Sequence, residues 1–122
     1  MIRRNFNNAL GILEVFYEGN VGLPELLDFG REIRESKEYP RCLKIIIDAT
    51  QASYELNYDE IVLLGNSLQT DIESYDSVKS AMIHSMPKET ALSMIFENRQ
   101  RIPNYFRRIF ASRMAAMEWL SE

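Results

Sequence analysis

The side chains able to do chemistry are few and scattered in this sequence. One histidine, His84, is the only imidazole, and a lone imidazole serves as a general base or metal ligand only with a partner. No second His and no Cys stands at ligand spacing from it, so it reads as a structural or surface group. The single cysteine, Cys42, opens an apolar run, where a thiol is an inert small hydrophobe unless a base or a helix start activates it. No Ser-His-Asp set, metal-ligand cluster or glycine-rich phosphate loop is present, and the expectation is a non-enzymatic chain without metal or cofactor. Arg99, Arg101, Arg107, Arg108 and Arg113 crowd one stretch with Tyr105 and Phe106 between them. On a strand, however, Arg107 and Arg108 point to opposite faces, so the five do not form one basic surface.

The positional guess for a site follows from the elements that carry these residues. Cys42-Leu43-Lys44-Ile45-Ile46-Ile47-Asp48 is the strongest strand, and its consecutive isoleucines imply cover on both faces, as in a parallel sheet. Ligands of open α/β sheets bind beyond the carboxyl ends of such strands. Asp48 with Thr50 and Ser53 in the following polar stretch Ala49–Leu56, read as a loop, and Tyr58 at the next helix start, are therefore the binding candidates. The alternative for Asp48 is a local cap on backbone N–H groups. Lys88, at a helix start behind Pro87, joins them as an anion-binding candidate.

Around that strand the pattern alternates. Ile2–Asn7 and Ile12–Tyr17 read as a hairpin across the turn Asn7-Asn8-Ala9-Leu10-Gly11. Pro24 opens a helix whose stripe is Leu26, Phe29, Gly30 and Ile33, ending near Tyr39-Pro40. Asn57 and Glu60 have capping-box spacing ahead of Ile61, Leu64, Gly65, Leu68 and Ile72. Val78–Met86 reads as a strand, and Pro87 opens a third helix with the stripe Ala91, Met94, Ile95 and Ile102. Tyr105–Phe110 is a last strand, and a helix from about Ser112 to Leu120 turns Ala116, Met117 and Leu120 inward. The order β-β-α-β-α-β-α-β-α predicts one α/β domain over residues 1–122, with a mixed, mostly parallel sheet, an N-terminal antiparallel hairpin and four helices.

Composition bounds the function. Of 122 residues, 46% are hydrophobic and 26% charged, ordinary for a globular domain. Acids outnumber bases 18 to 14, giving a net charge of -4, which argues against nucleic acid and against attraction to anionic membranes. No apolar run approaches the roughly 20 residues of a membrane span. The N-terminal segment lacks the apolar stretch of a signal peptide, and one cysteine cannot make an internal disulfide, so a cytoplasmic location is expected.

Three stretches, LKIIIDA (Leu43–Ala49), AMIHS (Ala81–Ser85) and FASRMAAMEWL (Phe110–Leu120), resemble the STAS superfamily of sulfate transporters and anti-sigma-factor antagonists, closest to its SpoIIAA-like branch. The resemblance extends over nearly the whole chain in element order. It implies a module that docks with proteins or small ligands, and it places Trp119 in the packing of a final helix. Antagonists of the family carry an Asp-Ser-Ser/Thr-Gly phosphorylation motif after the central strand. Here the matching segment is Glu55-Leu56-Asn57-Tyr58-Asp59-Glu60, without a hydroxyl acceptor of that type. The expected function is a regulatory or scaffold module binding a protein partner or a second copy of itself. The second expectation is a carrier of a small apolar molecule or lipid in a pocket between sheet and helices.

Overall fold

The computed structural model describes residues 1–99 and 102–122, with the side chains of residues 97–99 not described. Five strands, β1 (Ile2–Asn7), β2 (Ile12–Gly22), β3 (Cys42–Glu55), β4 (Ser77–Ile83) and β5 (Tyr105–Phe110), form one sheet in the order β1-β2-β3-β4-β5. β1 and β2 pair antiparallel and every other neighbour is parallel. The helices are α1 (Leu23–Glu35), α2 (Tyr58–Asp71), α3 (Pro87–Arg99) and α4 (Arg113–Leu120). This is the α/β architecture that the alternation predicts.

Strand order dictates where the helices go. Each parallel strand is added on the same side of its predecessor, and right-handed crossovers then place α1, α2 and α3 on one face. That face carries the larger core, including Leu13, Val15, Tyr17, Ile45, Ile47, Val78 and Met82 with Phe29 and Ile33 of α1. The alternate residues Ile12, Ile46, Ala81 and Ile83 face the other way and are covered by Ala116 and Leu120 of α4. Trp119 packs there at 5.7 Å from the Phe110 ring, as the sequence implied.

Local signals explain several boundaries. Gly11, at φ 68, closes the first hairpin, and its N–H donates to the Asn7 carbonyl at 2.8 Å. Asn57 and Glu60 form the expected capping box at the start of α2. α1 stops at Glu35 rather than near Tyr39, because Ser36 turns extended and its hydroxyl accepts from the N–H groups of Glu38 and Tyr39.

Two expectations are corrected. The stretch Ala49–Leu56 is not a loop: β3 continues through Glu55 and pairs with Glu18–Gly22 of β2, beyond the end of β4. It looks polar because Gln51, Ser53 and Glu55 face solvent while Ala52 and Tyr54 are buried. The inward face of α3 is not Ala91, Met94 and Ile95, since Met94 is 51% and Ile95 39% exposed. Glu89 and Ser93 are buried instead, with Leu92 and Phe96 half-buried along the same stripe. The reason lies under the helix: Arg107 of β5 points into this layer, and a cation there needs polar partners.

Candidate functional site

Between the sheet and α1–α3 lies a cavity of about 140 Å³. Ile45, Ile47 and Met82 rise from the sheet, Phe29 and Leu26 come from α1, and Leu64 and Leu68 from α2. These side chains make the walls apolar. The polar lining is concentrated in Tyr17, Tyr54, Ser80, Ser93 and Arg107, with Ser67 and Asp71 between α1 and α2.

Sheet register builds the polar end. Ile45, Ser80 and Arg107 are aligned partners on β3, β4 and β5, so their side chains share one row on the cavity side. Arg107 extends from that row to α3, where Nη1 donates to the Ser93 carbonyl at 3.0 Å and Nη2 to the Ser93 hydroxyl. Its guanidinium also lies 5.0 Å from the Phe96 ring centroid. Ser80 is buried, and its hydroxyl finds the Met82 sulfur at 4.0 Å, a weak acceptor.

A bulge delivers Tyr54. Between the pairs Phe16–Asp48 and Glu18–Gln51, β2 advances two residues and β3 three. The extra residue shifts the facing parity, so Ala52 and Tyr54 join Ile45, Ile47 and Ala49 in one core. Without it, Tyr54 would face solvent. Asp48 holds the bulge together: its Oδ1 accepts the Thr50 N–H at 3.0 Å and the Thr50 hydroxyl at 2.7 Å.

Tyr54 Oη lies 3.5 Å from His84 Nε2, and the rings meet edge-on at 5.6 Å. His84 is 4% exposed and its Nδ1 has no hydrogen-bond partner among the described residues. Burial, reinforced by the nearby Arg107 charge and opposed by Glu89, pushes this histidine down to about 4. Burial also raises the Tyr17 and Tyr54 hydroxyls, which therefore stay protonated as hydrogen-bond donors. Asp71, buried where α1 crosses α2, is shifted upward by desolvation, against Arg34 at 3.3 Å and a hydrogen bond with Ser67.

The residues expected to form a site are placed as follows. Asp48 and Thr50 are joined, and the Thr50 carbonyl accepts from the Ser85 hydroxyl at 3.3 Å. Ser53 is exposed on the extension of β3, Tyr58 is 47% exposed as the first residue of α2, and Lys88 is exposed in the first turn of α3. None of the five lines the cavity. Asp48 is aligned with Ile83 on the α4 side, whereas the His84 ring packs on Tyr54 on the opposite side, so the two do not converge. Cys42 is exposed, at the first residue of β3, rather than buried.

Arg107 and Arg108 part to opposite faces, Arg108 lying over Phe110 and Trp119. Arg101 and the Arg99 side chain lie outside the described residues. Among the described residues no group of three or more His, Cys, Asp or Glu could hold a metal. No helix among them is long and apolar enough to cross a membrane. Tyr54, Ser80 and Ser93 line the cavity without having been singled out by the sequence pattern, and Arg107 joins them although its cluster is not one surface. Comparison with protein-family models, with curated proteins and with solved structures gave no match.

Proposed function

We propose that this chain is a non-enzymatic binding domain that holds a small, largely apolar molecule between its sheet and α1–α3. The observation that carries this reading is the cavity of about 140 Å³ with largely apolar walls and a polar cluster around Arg107. An engineered cavity of about 150 Å³ accommodates benzene, which sets the scale of the ligand at a ring or a short chain. The separation of Asp48 from His84 across the sheet supports a binding rather than a catalytic role. Native mass spectrometry of freshly purified protein, repeated after solvent extraction, tests the proposal. Extra mass that disappears on extraction supports it, and bare protein that also takes up no added toluene contradicts it.

Membership of the STAS superfamily, in its SpoIIAA-like branch, belongs to the same proposal and is supported by the element order and the three matching stretches. So does a cytoplasmic location, supported by the lone free cysteine, Cys42. A second reading is docking of a protein partner or a second copy on the α4 side of the sheet. Phe106, 50% exposed on β5, and Met114, 76% exposed in α4, support it. Sedimentation equilibrium distinguishes self-association, which Met114→Glu would then weaken, from a monomer that leaves only a different partner.

A further inference from the structure

We propose that the molecule held in the cavity carries an acidic head, a carboxylate paired with Arg107, on an apolar body. The inference rests on the cavity reading above and adds the ligand's chemical class. Arg107 lines the cavity and is half-buried, in a layer shared by the apolar Ile45, Met82 and Leu92 and the polar Ser80, Ser93 and Tyr54. A guanidinium presents five N–H donors. Two are used on Ser93, a neutral residue. Among the described residues, the ion pairs within 4.0 Å all lie elsewhere, on Arg3, Arg4, Arg31, Arg34, Arg113 and the N-terminus. No carboxylate among the described residues forms an ion pair with Arg107 within 4.0 Å, Glu89 acting at longer range, and a ligand carboxylate would supply a charge-assisted, bidentate contact.

Neighbouring groups suit the same head. Ser80 stands beside Arg107 in the sheet register, and its hydroxyl has the Met82 sulfur for company, leaving it able to donate to a better acceptor. Tyr54 lines the same cavity. Glu89, buried in the first turn of α3, adds a field that opposes the Arg107 field at His84 and Tyr54. The remaining walls are mostly hydrocarbon, with Ser67 and Asp71 as polar groups between α1 and α2. An amine of the same shape would bring a second positive charge against Arg107. A neutral alcohol would gain the hydroxyl contacts without the ion pair.

The test is a calorimetric titration of the full chain at pH 7.5 with three probes sharing one body: phenylacetate, 2-phenylethanol and 2-phenylethylamine. Phenylacetate is expected to bind about tenfold or more tightly than the alcohol, with the amine weakest. Arg107→Gln should erase the preference for the acid, while Arg107→Lys retains part of it. Should Arg107→Gln fail to fold by circular dichroism, the order of the three probes on the unaltered chain decides alone. An alcohol that binds as well as the acid overturns the acidic head and leaves the cavity reading standing. No binding by any of the three overturns both.

Discussion

Acidification from pH 7.5 to 4.5 is expected to remove much of the stability of this fold through one side chain. His84 is buried against Tyr54, and its folded-state value lies at about 4 against 6.5 for an ordinary imidazole. The folded form therefore resists a proton that the unfolded chain accepts. Above pH 6.5 both forms are neutral and the full stability is present. As pH falls from 6.5 toward 4, only the unfolded chain is protonated, and stability is lost across that window. At about 1.4 kcal/mol per pH unit, the gap is worth about 3 kcal/mol. Burial is the main cause, Arg107 adds to it and Glu89 subtracts. Because the chain has one histidine, its imidazole C–H resonances can be followed by NMR without assignment, beside urea unfolding at several pH values. The His84→Gln variant should lose less stability over the same interval. A ring that titrates at 6.5 or above, or an identical pH slope in the variant, would refute this reasoning.

Other perturbations probe the packing. A Cβ added at Gly30 would collide with the Asp71 carboxylate, so Gly30→Ala should cost about 1–3 kcal/mol in urea unfolding, whereas an unchanged midpoint would mean that the α1–α2 contact gives way freely. Asn57→Ala removes the cap on α2 and should cost about 1 kcal/mol, read from the thermal midpoint. Leu13→Ala, at a fully buried core position, should cost about 2–5 kcal/mol, while Met114→Ala on the surface should stay within about 0.5 kcal/mol.

The alternation of elements was readable because each crossover has its own signal. Pro24, the Asn57–Glu60 box and Pro87 mark helix starts, and Ile45–Ile47 marks a strand covered on both sides. The site was less readable, for physical reasons. The second half of β3 has one face in solvent, so Gln51, Ser53 and Glu55 resemble a loop until β2 is seen to pair with them. The bulge at Thr50 shifts which residues face inward, so Tyr54 cannot be assigned to the cavity by simple alternation from Ile45. In α3 the inward stripe holds Glu89 and Ser93, because the guanidinium beneath it outweighs the pull of Met94 and Ile95 toward the core. Alternation does separate Arg107 from Arg108, but it does not say which of them enters the core. The half-buried position of Arg107 depends on the register that aligns it with Ser80 and on Ser93 of α3.

The cavity itself is tested most directly by methyl NMR during a titration with toluene. The two faces of the sheet supply their own control. Ile45, Ile47 and Leu68 line the cavity, whereas Ile46, Ile83 and Leu120 pack on the α4 side. Saturable shifts confined to the first set are the expected result. Shifts spread equally over both faces, or none at all, would contradict a ligand site between the sheet and α1–α3.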